Sequence, residues 1–196
     1  MRRIDPLPAV KLPLFALACA LAVLAPACQG TKRLPPQVEQ EEADAIIGGS
    51  TTRLLERIRT INPAEEIWLA YAGVENLSST PLGSAKADTD QSVTKTLVNS
   101  HFFRMISEQQ VEAAKRASGV SRTNELTLQE PRSRFLGELT NEGRVPDYIL
   151  FGTLTSIDSE GDDGRRRRFR LSLQMMNSSS GEIVAQEDAT FTKDPR

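Results

Sequence analysis

Hydrophobic positions divide the chain into one apolar block near its start and a longer region of periodic segments. The apolar block extends from Leu12 to Ala25, and polar residues follow soon after it. Its length of about 14 residues is less than the roughly 20 that a membrane-spanning helix needs. Two arginines and a lysine precede the block, so the pattern predicts a secretory signal peptide over residues 1–27.

Helical spacing of apolar residues predicts four helices in the rest of the chain. They cover residues 43–60, 88–99, 107–119 and 131–141. In the third helix, Ser107 and Gln110 have the spacing of a capping box, and Gly119 occupies the position after the last turn where glycine is common. The positions expected to face the core in the second and fourth helices are Val93, Leu97, Val98, Phe135, Leu136 and Leu139.

Strand patterns occur at five places along the chain. They cover residues 66–74, 101–106, 147–157, 168–177 and 182–192. The first is a continuous apolar run, typical of a central strand that is buried on both faces. Turn residues join the last three, which predicts an antiparallel meander. The fold class is therefore α+β, with a small, mostly antiparallel sheet flanked by about four helices and ending in a β-meander.

The end of the apolar block has the features of a lipoprotein cleavage site. Pro26, Ala27 and Cys28 close it, and Leu24 lies one position further from the cysteine than in the usual bacterial lipobox. We interpret Cys28 as acylated, because several acyl chains on one residue anchor a protein stably to lipid. Ordinary cleavage near Ala27 is the alternative. By similarity to lipoprotein sorting in Gram-negative bacteria, Gln29 after the cysteine favours the outer membrane.

The chain accordingly divides into three parts. Residues 1–27 are the signal peptide, residues 28–42 are the acylated cysteine with a flexible linker, and residues 43–196 are the α+β domain in the periplasm. The linker is predicted from its adjacent prolines, its many charges and its lack of hydrophobic periodicity. About 15 residues reach at most roughly 50 Å when extended, so the domain is expected to stay close to its membrane.

The composition excludes several classes of function. A formal net charge of −2 gives no electrostatic reason to expect nucleic acid as a partner. Both cysteines, Cys19 and Cys28, precede the domain, which therefore has no disulfide and no cysteine-based metal site. The single histidine, His101, excludes mechanisms that need two imidazoles. We expect no metal, no cofactor and no enzymatic activity.

Two polar stretches are candidates for binding a partner. Glu75, Asn76 and Leu77 begin the loop predicted after the first strand, and exposed loops on a rigid scaffold often carry function. Arg166 and Arg167 belong to a basic run that is suited to an acidic partner. The alternatives are a plain connector for the first stretch and, for the second, simple neutralisation of the adjacent acidic turn.

Three segments together resemble the LpoB-type activators of penicillin-binding proteins. They are LVNSHFFRMISEQQVEAAKRASGVS, VPDYILFGTLTS and FRLSLQMMNSSSGEIVAQEDATFTK, over residues 97–121, 145–156 and 169–193. The resemblance implies a fold similar to the N-terminal domain of TolB and to the core of CsgG-type secretion lipoproteins. Well-known members of the family have a long proline-rich tether, whereas the linker here is about 15 residues.

The same resemblance implies a function. The protein would bind and stimulate a bifunctional class A penicillin-binding protein from the outer-membrane side, acting as a lipid-anchored regulator of peptidoglycan synthesis. An alternative is a CsgG-like lipoprotein component of an envelope assembly or secretion complex, which would form a large ring.

Overall fold

Helices and strands alternate through the part of the chain that the computed structural model describes, which is residues 36–64, 66–78, 82–141, 143–157 and 167–193. The helices are α1 (Pro36–Ile61), α2 (Ala85–Asn99), α3 (Glu108–Ser118) and α4 (Gln129–Asn141), with a short 3₁₀ helix, η1, at Thr123–Thr127. The strands are β1 (Ile67–Asn76), β2 (Phe103–Met105), β3 (Tyr148–Ile157), β4 (Arg167–Asn177) and β5 (Ile183–Lys193). The predicted signal peptide, Cys28 and Arg166 lie outside the described residues.

The five described strands form one sheet in the order β2-β1-β3-β4-β5. β1 is parallel to both β2 and β3, whereas β3, β4 and β5 pair antiparallel. The α+β class and the C-terminal meander are confirmed, but the sheet is mixed rather than mostly antiparallel. The reason is that helical crossovers separate the first three strands, and a helical crossover returns the chain in the same direction.

Helices cover both faces of the sheet and enclose two cores. On one face, α1 and α2 pack on apolar side chains from all five described strands, including Leu69 of β1 and Leu150 of β3. On the other face, α3, η1 and α4 pack around Phe135 against Ala70 and Phe151. β1 thus lies inside the sheet with apolar residues on both faces, which confirms that the continuous apolar run is an internal strand.

Helix α1 begins at Pro36, seven residues before the predicted start, so part of the predicted linker is helical. Proline fits the first turn of a helix, and the glutamates and glutamines that follow it have good helix propensity despite their lack of apolar periodicity. The glycine pair in the middle of α1 has a packing role. A Cβ atom on Gly48 would lie 3.3 Å from Oγ1 of Thr96, so glycine lets α1 approach α2 closely.

Helix α2 corrects one of the predicted core positions. Val93 and Leu97, four residues apart on one face, are fully buried as expected. Val98 is 62% exposed, because the next residue along a helix is rotated by about 100° from its predecessor and here turns away from the sheet. In α4, Phe135 and Leu139 are buried and Leu136 is partly buried, as expected.

The capping box predicted for α3 is present. The backbone N–H of Gln110 donates to the Ser107 hydroxyl, the Gln110 side chain accepts from the Ser107 backbone, and Gly119 closes the helix with a φ of 73°. Gly119 needs that left-handed conformation, which favours glycine. These local interactions fix both ends of α3.

We expect the substitution Ser107→Ala to lower the free energy of unfolding by about 1 kcal/mol, because it removes the acceptor for a helix N-terminal N–H group. Ser84 is the matched control, since it occupies the N-cap position of α2 but makes no side-chain cap hydrogen bond. Urea unfolding should therefore show almost no change for Ser84→Ala. Equal losses at the two serines would contradict the capping role of Ser107.

Candidate functional site

The carboxyl end of β1 borders a polar cleft. β2 pairs only with Ile67–Leu69, so the later residues of β1 have no strand beside them on that side in the described part of the chain. A cleft of about 430 Å³ lies there between α2 and α3, and Tyr71–Asn76 line it along their whole length. The crossovers from β1 to β2 and from β2 to β3 run over opposite faces of the sheet. The cleft therefore lies at a topological switch point, where open α/β sheets usually bind ligands.

A β-bulge shapes the floor of this cleft. The pairing of β1 with β3 shifts register between Tyr71 and Val74, and Gly73 inside the bulge has a φ of 91°. The ammonium group of Lys115 donates to the carbonyl oxygen of Ala72 at 3.1 Å, and the N–H of Val74 donates to Oδ1 of Asp90 at 2.8 Å. Charged side chains from α3 and α2 thus supply hydrogen bonds to backbone groups of the bulge.

Asp90 is the centre of the network. Its Oδ1 also accepts from the Tyr71 hydroxyl at 2.7 Å, and its Oδ2 accepts from Nζ of Lys86 at 2.8 Å. Burial raises the pKa of Tyr71 well above its usual value, and the nearby carboxylate of Asp90 raises it further. Tyr71 therefore stays protonated and acts as a hydrogen-bond donor. The carboxylate of Asp90 is neutralised by Lys86, which leaves no free base at this point.

The three residues predicted to begin a binding loop differ from one another in the structure. Glu75 and Asn76 belong to β1 and pair with β3, so their assignment to a loop is wrong. The strand is longer than the apolar run that predicted it, because the backbone of β3 continues to pair with these polar residues. Glu75 accepts from the Thr123 hydroxyl at 3.2 Å and is only 15% exposed. Leu77 follows the strand and is 51% exposed.

The basic run is only partly described. Arg167 begins β4 opposite Lys193 and has a partner, while Arg166 lies outside the described residues. Arg170, two positions into the strand pattern, forms an ion pair of 3.1 Å with Asp188 on β5. The start of β4 and the end of β1 occupy the same end of the sheet, with β3 between them. The structure therefore brings both predicted stretches to one end of the domain without direct pairing.

Charged groups at the floor of the cleft form hydrogen bonds and ion pairs with one another and with the backbone. Within the described ranges, no group of three or more histidine, cysteine, aspartate or glutamate side chains could hold a metal ion. His101, which is exposed and has a φ of 55°, precedes β2 and is remote from the carboxyl end of β1. In the same described part, no helix is long and apolar enough to cross a bilayer.

Sequence reasoning missed Asp90, Lys115 and Tyr71 as parts of one network. Lys115 lies 43 positions from the carbonyl it binds, and nothing local marks that contact. Gly73 was the available signal, because a glycine inside an otherwise apolar strand often marks a bulge.

The family of the chain follows from a match that spans most of its length. Residues 40–191 match the family model described as "Peptidoglycan-synthase activator LpoB". The chain belongs to the LpoB family. No curated protein sequence matches it. LpoB-family proteins are regulators of peptidoglycan synthesis rather than enzymes, and they are envelope-associated lipoproteins, so the chain is a regulator of this type.

Solved LpoB structures have the same fold. The C-terminal domain of LpoB from Salmonella enterica is 21% identical, with a TM-score of 0.52, and the match covers 74% of this chain and 96% of that one. The corresponding domain from Escherichia coli is also 21% identical, with a TM-score of 0.50 and coverage of 75% and 96%. The NMR structure of E. coli LpoB matches at 16% identity and a TM-score of 0.50, covering 99% of this chain and 85% of that one.

Proposed function

We propose that this protein is held on the periplasmic face of the outer membrane through an acylated Cys28 and stimulates a class A bifunctional penicillin-binding protein by direct contact. The observation that carries the proposal is the family match over residues 40–191, which is the whole globular domain apart from its ends. The cleft chemistry supports action by binding, because Asp90, Lys86 and Lys115 form ion pairs or complete backbone hydrogen bonds.

The predicted contact residues differ in how accessible they are to a partner. Leu77 is an accessible apolar side chain at the carboxyl end of the sheet. Glu75 is largely buried and already bonded, so it contributes through the shape of the strand end rather than through a free carboxylate. Asn76 and Arg167 keep their predicted role as contacts at the same end, and Arg166, which is outside the described residues, also keeps its predicted role.

The proposed anchor can be tested with the two cysteines of the chain. We expect Cys28→Ser to move the protein from the membrane fraction to the soluble fraction, because the acylated thiol is removed. The matched control is Cys19→Ser, which changes a cysteine inside the predicted signal peptide and should leave the protein in the membrane. Fractionation and intact mass measurement of both variants check this result. An unmodified N-terminus on the native protein would contradict the anchor.

The proposed activity is tested with the purified full-length protein and a class A penicillin-binding protein from the same envelope. We expect saturable binding and faster glycan polymerisation and peptide crosslinking than with the synthase alone. The Cys28→Ser variant should stimulate equally in detergent solution, since the anchor serves placement and the domain serves contact. Absence of both binding and stimulation with the native protein would contradict the proposal.

A further inference from the structure

Exposed apolar side chains gather at the amino ends of the parallel strands, opposite the polar cleft. Of the eight large hydrophobic residues that are exposed in the described part of the chain, four lie where elements meet this end. They are Ile61 at the end of α1, Val98 in the last turn of α2, Phe102 before β2 and Val145 before β3. We call these four residues, together with Arg59, Trp68 and Arg144, the amino-edge surface.

Two arginines hold the aromatic residues of this surface in place. The guanidinium of Arg59 lies 3.9 Å from the centroid of the Phe102 ring, and that of Arg144 lies 4.3 Å from the centroid of the Trp68 ring. Such cation–π contacts fix an aromatic side chain while leaving it accessible. Aromatic residues and arginine are the types most enriched at the energetic centres of protein interfaces.

A groove next to Phe102 offers space for an apolar side chain. It has a volume of about 550 Å³ and lies between α1 and the end of α2. Gly48 and Gly49 form part of its wall, so no side chain fills it there, and Leu55 contributes an apolar surface. The glycine pair in α1 therefore both brings the helices together and keeps the groove open.

Charge indicates what would surround that apolar side chain. Arg59 and Arg144 make no ion pair with any residue in the described ranges, whereas the neighbouring Arg104 is neutralised by Glu66 at 3.0 Å. Two guanidinium groups with unused donors favour carboxylates on the occupant. Glu56 also lines the groove, so the carboxylates of the occupant would lie toward Arg59 and Arg144 and away from Glu56. The surface fits an apolar side chain whose acidic neighbours face the two arginines.

The charge of the chain before the domain argues against its own N-terminal segment as the occupant. The groove at Gly48 lies roughly 18 Å along α1 from Pro36, at 1.5 Å per residue, so residues 28–35 are long enough to reach it at 3.3–3.6 Å each. These residues include Lys32 and Arg33 and no carboxylate. They therefore do not supply the acidic groups that Arg59 and Arg144 favour.

We propose that the amino-edge surface is a further contact surface for the peptidoglycan synthase, beside the contacts proposed at the carboxyl end, and that it docks a segment with an apolar side chain flanked by carboxylates. This inference rests on the proposed function and adds the surface and the chemistry of its partner.

Binding of the full-length protein to the purified class A synthase tests the surface. We expect Phe102→Ala to raise the Kd at least tenfold and Arg144→Gln to raise it about fivefold, because both remove groups at the centre of the contact. Ile157→Ala and Arg170→Gln are the matched controls, since these side chains are 40% and 57% exposed and lie near the carboxyl end of β3. Both should change the Kd less than twofold, and all four variants should keep the thermal midpoint of the native protein within a few degrees.

The outcomes separate this inference from the function on which it rests. If the native protein binds the synthase but Phe102→Ala and Arg144→Gln bind equally well, the amino-edge surface is wrong and the function stands. Losses for Ile157→Ala or Arg170→Gln as large as those for Phe102→Ala and Arg144→Gln would show that the effect is not specific to this surface and would also overturn the inference. A self-associated native protein that Phe102→Ala dissociates in sedimentation would assign the surface to a second copy. If the native protein binds no class A synthase, both proposals fail.

Discussion

Replacing Phe135 with alanine is expected to lower the free energy of unfolding by about 3–5 kcal/mol, the range for removing a buried phenylalanine ring. Phe135 is fully buried in α4 and is one of two phenylalanines in the core between the sheet and the helices α3 and α4. Its neighbours in that core include Val111, Leu126 and Phe151, which belong to separate elements and cannot collapse together to fill the space. Urea unfolding followed by circular dichroism measures the loss.

The same substitution at Phe102 is the matched control for Phe135. It removes the same atoms, but Phe102 is 50% exposed. We expect a loss of about 1 kcal/mol or less there, since surface substitutions seldom cost more. Phe102→Ala should reduce synthase binding with little effect on stability. Phe135→Ala should reduce stability, with little effect on synthase binding at temperatures where the variant is still folded. Comparable destabilisation at the two sites would contradict the described core.

Elements with local signals were predictable from the sequence. Ser107, Gln110 and Gly119 specify the ends of α3 through contacts within a few residues, and those contacts are present. Leu171, Leu173 and Met175 alternate with the polar residues of the strand predicted at 168–177, a pattern typical of one buried face, and all three are buried in the core beneath α1 and α2. Such patterns reflect the backbone geometry of one element, so they need no knowledge of the rest of the fold.

Features that depend on distant contacts were not predictable in the same way. The first turns of α1 are polar on most sides, so no periodicity marked residues 36–42 as helical. Glu75 and Asn76 are polar at a strand end, and only their pairing with Thr153 and Leu154 makes them part of β1. The parallel pairing of β1 with β3 depends on the path of the intervening helices, which apolar spacing does not encode.

The candidate site also combines features with local sequence signals and features that depend on distant contacts. Gly73 could have indicated the bulge, but the side chains that hydrogen-bond to the bulge, Asp90 and Lys115, belong to helices on either side of it. In the amino-edge surface, the contacts of Arg59 with Phe102 and of Arg144 with Trp68 join residues that are distant in the sequence, so only the fold creates them. The family resemblance, rather than any single motif, therefore carried the functional prediction that the match over residues 40–191 later supported at the level of a regulator.

Replacing Gly152 with alanine is expected to lower the free energy of unfolding by about 2 kcal/mol, within the 1–3 kcal/mol typical of an overfilled core. Gly152 lies in β3 opposite Val74, the residue that follows the bulge of β1. A Cβ atom would lie 2.9 Å from Cδ2 of Leu173 and 3.1 Å from Cγ2 of Val74, with the carbonyl oxygen of Ser172 at 3.2 Å. The backbone oxygen cannot move without disturbing the pairing of β3 with β4.

Gly137 provides the control because a Cβ atom there would meet nothing within 4 Å. It lies on the exposed side of α4, where alanine is favoured over glycine by about 0.8–1 kcal/mol. Gly137→Ala should therefore stabilise the protein, so the two substitutions are expected to have opposite signs in urea unfolding. Gly152→Ala should also shift the amide resonances of Tyr71–Val74, since Val74 must move and carries the bulge with it. A stable Gly152→Ala variant with an unchanged bulge would show that β1 and β3 are packed less closely than described.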